Sequence, residues 1–272
     1  MTFIRTIQAT CGSKGGFCQI YNVVAHFQYN SSNIDNKQMK KIILMGIVLF
    51  LTGNINISIG QTEQILTESE KHIFWQPERV LTEKDFQGNG TQNPKFVKYC
   101  EELELCVQAS TGVFAVLDIP KKKSKRGKLI EKVYFAPAFE KSTSFILKLD
   151  STGIAKQKII FDIFEFSARL ARQQLQHLQD SIGGYGIISL MFKSIEARAI
   201  EIRTSLVDSY TKDVYIDKKV GAFELWREKV DKLLTDSKEF ATKPEDCYRF
   251  VRNAPIDENY EMAKTVIGNL NK

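Results

Sequence analysis

Histidine is scarce in this chain: 272 residues hold three of them, His26, His72 and His177. It is both the commonest metal ligand and the commonest acid–base catalyst, so this scarcity narrows the chemistry on offer. Long apolar runs are also lacking. The longest, Ile42 to Leu51, is half of the roughly 20 residues that a membrane-spanning helix needs. The chain has no glycine loop of the Walker type to cradle a phosphate, no internal repeat and no low-complexity tract.

The short apolar run has its own meaning. "MKKIILMGIVLFLTGNINISIG", residues 39–60, begins with Met39 and two lysines, turns polar after Leu51, and reaches Ser58-Ile59-Gly60. A charged start, a short hydrophobic stretch and small residues at the cleavage positions define a secretory signal peptide. Cleavage is expected between Gly60 and Gln61, giving a secreted or periplasmic protein with no transmembrane helix in its mature part. No cysteine follows the run, which argues against a lipoprotein. Residues 1–38 precede the signal and are read as a start called too early, outside the fold. Cys11, Cys18 and His26 are set aside with them.

This division changes the charge. Five basic residues and one acidic residue precede Gln61, leaving 33 against 31 in the mature chain. That balance excludes the strongly basic footprint of a nucleic-acid-binding protein.

From Gln61 to about Lys148 the signals are β and turn. Gln87-Gly88-Asn89-Gly90 marks a break. "LELCVQASTGVFAVLDI" (103–119) suggests a hairpin about Ser110-Thr111-Gly112, and "LIEKVYFAPAF" (129–139) another strand. "TSFILKL" (143–149) is a last strand or the lead-in to a helix. After Asp150 the period becomes helical. Asp150-Ser151-Thr152 offers caps, and Gly183-Gly184 a stop. Between them Ile159, Ile163, Phe166 and Leu170 form one apolar row; Ile160, Phe164, Ala171, Leu175 and Leu178 form the next. A second helix is predicted over about 187–210, with Ile188, Met191, Ile195, Ile202 and Leu206 near one face, and a third over 218–240. The tail, 241–272, holds one more short helix. The predicted class is α+β: a small antiparallel β region followed by three or more packed α-helices.

Three cysteines remain in the mature chain: Cys100, Cys106 and Cys247. Within one extended strand, six residues at about 3.3 Å each put Cys100 and Cys106 beyond disulfide reach. Pairing requires a chain reversal between them, or Cys247. Buried unpaired thiols are the alternative.

"RVLTEKDFQG" (79–88), "VYFAPAFEKSTSF" (133–145), "FDIFEFSARLAR" (161–172) and "SYTKDVYIDKKVGAFELWREKVDKLL" (209–234) occur in this order. Together they resemble a bacterial family of predicted secreted zinc-dependent proteases, over most of residues 75–236. The resemblance implies a protease-like α+β domain over 61–240, with a helix bearing HExxH directly before the "FDI" segment. In such a motif two histidines at i and i+4 bind Zn²⁺ and the glutamate activates the metal-bound water. Here those positions are Lys156, Gln157 and Ile160. Lysine is a cation where a cation should bind, and glutamine cannot act as a general base. Ile160 continues an apolar row into Phe164, so Ile160, Phe161 and Phe164 are expected in the core. The three replaced positions are vestigial, with no catalytic residue and no metal expected.

A relocated zinc site would have to draw on Asp162, Glu165, His177 and His72. Asp162 and Glu165 form an acid pair at i, i+3, and Glu165 precedes Arg169 by four residues, the favourable order for a helical ion pair. His177 stands about five turns beyond Lys156, and His72 in a polar segment before the sheet. The one dense charge run is "KKKSKRGK" (121–128): Lys121, Lys122, Lys123, Lys125, Arg126 and Lys128. It reads as contact with an anionic envelope surface or acidic envelope protein, or as a solvated hairpin loop whose lysines keep a strand edge from pairing. The acidic "YCEELEL" (99–105) is a candidate to neutralise it. The expectation is an exported, non-catalytic relative of a zinc protease with a binding or structural role in the envelope. The alternative is a hydrolase whose site has moved.

Overall fold

A computed structural model describes residues 66–150, 152–182 and 187–264. The segments 1–38 and 39–60, the cleavage position, Ser151 and Gly183-Gly184 lie outside the described residues. One antiparallel sheet has the strand order β1-β3-β2-β4. Its strands are β1 (His72–Phe74), β2 (Val107–Pro120), β3 (Lys132–Ile146) and β4 (Tyr260–Met262). Among the described residues five α-helices accompany it: α1 (Pro94–Leu103), α2 (Gly153–Ile182), α3 (Ile187–Thr211), α4 (Ala222–Asp236) and α5 (Pro244–Val251). This is the α+β class expected.

Strand alternation sorts the sheet into two covered faces. Val113, Leu117 and Phe135 meet Ala168, Ala171 and Leu175 of α2, with Phe192 and Ile195 of α3 packed behind. Ile73, Trp75, Ala109 and Phe139 meet Phe161 of α2. Residues one step along each strand point the other way: Phe74, Phe114, Ala136 and Ala138 pack on Cys247 and Phe250 of α5. The middles of β2 and β3 are apolar in both phases because both faces are buried there. On the α5 side, Arg249 Nε and Nη2 grip the two oxygens of Asp118 at 2.7 and 2.8 Å, a bidentate pair almost wholly out of water.

Helix α2 is the long support, 30 residues or about 45 Å. The Asp150 carboxylate caps its start, accepting from Thr152 N at 2.7 Å and also from Gly153 N. Gly153 is needed there: a Cβ would stand 2.5 Å from Val107 Cγ2. A third cluster joins Ile159 and Ile163 to Tyr210, Tyr215, Trp226 and Val230 of the helices beyond. Tyr215 reaches it from a π-helical turn, Lys212–Ile216, that closes α3.

The structure departs from the sequence reading in several places. Ser110-Thr111-Gly112 is no hairpin: β2 runs through it with a bulge between Gln108 and Ser110, and the hairpin turn lies in 121–131. Residues 94–103, read as β and turn, form α1, opened by Pro94 in the first turn and by Asn93 Oδ1 accepting from Lys95 N at 3.1 Å. The third helix starts at Ala222 and gives way after Asp236 to a short 3₁₀ turn, Lys238–Phe240. The tail adds β4 as well as α5. Met191 is 38% exposed, while Phe192 and Ala199 are buried beside Ile188 and Ile195. Ile160 and Phe164 are half-buried rather than core; Phe161 is core.

Cys100 and Cys106 are joined in a disulfide, with Cα atoms 4.3 Å apart. The chain reversal that permits it is Glu104, left-handed at φ 58° after α1. Cys247 is buried and unpaired, its thiol pushed up to about 12 by burial. Non-reducing peptide mapping of the full chain is therefore expected to find Cys100 linked to Cys106. Cys247 should be alkylated only in denaturant, because both access and thiolate are withheld in the native state. Rapid native alkylation of Cys247 would contradict this placement.

Candidate functional site

Lys156, Gln157 and Ile160, the positions at which the chain departs from the motif, lie in the first turns of α2. Gln157 is fully buried. Its Oε1 accepts from Ala109 N at 3.0 Å, and its Nε2 donates to the Tyr215 hydroxyl at 3.2 Å. Ala109 is the bulged residue of β2, whose N–H a regular ladder would have satisfied. One primary amide thus supplies the acceptor for a stranded backbone donor and the donor for a buried phenol. Burial pushes Tyr215 up to about 12, so it remains a neutral phenol at physiological pH.

Lys156 is half-buried, its Nζ 5.7 Å from the Tyr215 ring centre, and its carbonyl accepts from the Tyr210 hydroxyl at 2.9 Å. Ile160 lines a cleft of about 260 Å³ with Gln157, Phe164, Thr111, Val207 and Tyr215. Thr111 Oγ1 is buried there and makes no hydrogen bond within the described residues. Ile160 and Phe164, expected in the core, thus form apolar walls around a small opening, and the amide of Gln157 is engaged on both sides.

Asp162 and Glu165 part company. Asp162 Oδ1 accepts from Trp75 Nε1 at 2.7 Å and from Lys158 Nζ, and Oδ2 from Arg227 at 2.7 Å. It ties α2 to the residue after β1 and to α4. The carboxylate forms part of a cleft of about 640 Å³ lined also by Trp75, Lys158, Arg169, Arg227 and Leu234. Lys158 and Arg169 stand 5.5 and 5.1 Å from the Trp75 ring centre, within cation–π range. Glu165 is fully buried. Its Oε1 accepts from Arg169 Nε at 2.7 Å and Thr242 N at 2.9 Å, and its Oε2 from Thr242 Oγ1 at 2.5 Å. The Glu165–Arg169 pair has the i, i+4 spacing read from the sequence.

The histidines lie elsewhere. His72 is in β1 itself, on the α5 face, edge-on to Phe114 with ring centres 5.0 Å apart. Burial is the main cause that lowers its pKa, with Lys71 and Lys141 adding and Glu140 opposing. Trp75 and Asp162 belong to the opposite face of the sheet. His177 is exposed, on the last turns of α2, in a groove against Met191 and Ile195 of α3. Among the described residues no three His, Cys, Asp or Glu side chains are grouped so as to hold a metal ion.

The other resembling motifs have structural places. In 79–88, Arg79 pairs with Asp85 at 2.7 Å, Phe86 packs edge-on to Phe139, and Gly88 N donates to Ser144 O at 2.7 Å. A Cβ on Gly88 would sit 2.7 Å from the Ser142 carbonyl oxygen. The run 121–128 is wholly exposed. "YCEELEL" does not neutralise it: that segment lies at the other end of the 14-residue strand β2, about 45 Å away, where Glu104 pairs with Lys218 and Glu102 with Lys98. Sequence reasoning missed the bonds of Gln157 and the parts of Trp75, Arg172 and Arg227, since each partner lies 37 or more residues away.

No family model, no curated protein and no solved structure matches this chain.

Replacing Gln157 with alanine should cost about 2–3 kcal/mol in chemical denaturation, because an amide and a phenol lose their partner in a buried setting. Gln157→Glu should be near neutral at about pH 4, where the acid is protonated and mimics the amide. Burial raises the folded-state pKa above the unfolded 4.3, so the deficit should grow as pH rises from about 4 to 7. A pH-independent deficit would mean that the position is open to water.

Proposed function

We propose that this protein is an exported, non-catalytic relative of the secreted zinc proteases it resembles, with a binding or structural role in the cell envelope. The observation that carries this reading is the use of Gln157. At the place where the motif has its general base, both polar ends of a buried amide hold the fold together. Lys156 and Ile160, at the two histidine positions, offer a cation and a hydrocarbon side chain. The nearby acids support the same reading, since Asp162 and Glu165 each meet three donors from the protein itself. A relocated metal would have to displace those bonds. Export rests on residues 39–60, the charged start, apolar run and small residues ahead of Gln61.

The full chain, expressed in a bacterial host and purified without chelating resin, should carry close to no zinc by elemental mass spectrometry, even after incubation with excess metal. It should show no peptidase activity on a denatured protein substrate. The intact mass of the exported fraction should correspond to a chain beginning at Gln61. One zinc per chain would overturn the non-catalytic reading, and variants at His72, His177, Asp162 and Glu165 would then find the ligands. Retention of residues 1–60 in a cytoplasmic product would overturn export.

A further inference from the structure

The turn between β2 and β3 gathers Lys121, Lys122, Lys123, Lys125 and Lys128 at one end of the sheet, all exposed. None of the five forms an ion pair with a described residue, whereas Glu261 and Asp257, two acids that border the turn, are bonded to Arg126 at 2.6 Å and Lys132 at 2.8 Å. The turn is also built. Arg126 N donates to Lys123 O at 3.1 Å and Lys128 N to Lys125 O at 3.0 Å. Gly127 takes the left-handed conformation at φ 81°. Arg126 Nε pins it to Pro120 O at 2.9 Å. Beside the cations stand apolar side chains with no cover: Ile130 is 52% exposed, and Met262, on the adjoining edge strand β4, is 54% exposed.

We propose that this basic turn docks the protein on an anionic lipid bilayer, the lysines meeting headgroup phosphates and Ile130 entering the interface, with Met262 beside it. Five cations that form no ion pair with a described residue fit a negative surface, and each lysine close to such a surface adds about fivefold in affinity. Exposed aliphatic side chains among them favour a lipid interface, which can bury them. A soluble polyanion would leave them in water, and the turn has no exposed aromatic ring for a base to stack on. The docking names a partner for the binding role proposed above. It is tested apart from zinc and peptidase content, so either reading can fail alone.

The test is co-sedimentation of the full chain with phosphatidylglycerol–phosphatidylcholine vesicles, against phosphatidylcholine alone, at low and raised salt. The wild-type chain should bind the anionic vesicles and weaken with salt. The triple variant Lys122→Gln, Lys123→Gln, Lys125→Gln should lose about 100-fold in affinity, and Ile130→Ser several-fold. A control with Lys95→Gln, Lys98→Gln and Lys232→Gln, on exposed helix surfaces, should bind as wild type. Because the turn is exposed, all variants should keep the wild-type melting temperature. Binding that survives the triple substitution would overturn the proposal and shift the anchoring to the apolar run Ile42–Leu51. So would an equal loss in the control. Indifference to Ile130→Ser, together with equal binding to heparin, would overturn the lipid assignment in favour of a soluble polyanion.

Discussion

The carboxylate of Glu165 is the constraint on which the two-sided arrangement of this fold rests. An ionised acid without water costs several kcal/mol unless its lone pairs are met by donors in good geometry. Glu165 meets that demand with Arg169 on its own helix and with both the N–H and the hydroxyl of Thr242. Arg172 extends the network to the Phe135 carbonyl of β3 at 2.7 Å and to Thr242 Oγ1 at 2.5 Å. The residues between α4 and α5 are thereby held against α2 and the central strand. Only from that position does the chain deliver α5 to the far face of the sheet, where Arg249 closes on Asp118.

Helix α2 repeats this device along its length. Gln157 ties it to the bulge of β2 and the π-helical turn after α3, and Asp162 ties it to Trp75 and Arg227. Each joint uses the side chain whose hydrogen-bonding inventory fits. At position 157 one partner is a backbone N–H and the other a phenol oxygen, and the amide accepts from the first and donates to the second. An ionised glutamate only accepts. Both polar ends of residue 157 are therefore used by its neighbours in the fold.

Legibility followed the range of the interactions. The body of α2 was readable because its cap, Asp150, and its apolar rows are local. Strand β2 was misread at Ser110-Thr111-Gly112, where turn-forming residues sit mid-strand; pairing with Phe139 and Ala138 overrides their local preference. Helix α1 carried Asn93-Pro94 as a start signal, yet it lies on the surface with no fully buried residue, so its apolar pattern was faint. The disulfide depends on a left-handed glutamate, for which no residue type gives notice. Asp118 and Arg249 stand 131 residues apart, and nothing local in either segment announces the other. At the candidate site Lys156, Gln157 and Ile160 were visible as residue types. What each residue holds was not, because Ala109, Tyr215 and Thr242 come from other elements.

The near-balance of charge over residues 61–272 conceals a separation in space. Four acidic residues in or beside the helices are matched nearby: Glu102 by Lys98, Asp236 by Lys232, Asp231 by Arg227, Asp213 by Lys219. The buried acids Asp162, Glu165 and Asp118 are matched by Arg227, Arg169 and Arg249. Matching of this kind offsets charge within the body of the molecule, whereas the lysines of the β2–β3 turn form no ion pair with a described residue. A net charge counted over the whole sequence averages the two regions into near-neutrality, although the field near the turn is set by its own lysines within a Debye length of about 8–10 Å. Near-neutral composition is thus compatible with a strongly cationic end, which the fold creates by gathering Lys121, Lys122, Lys123, Lys125 and Lys128 into one exposed turn.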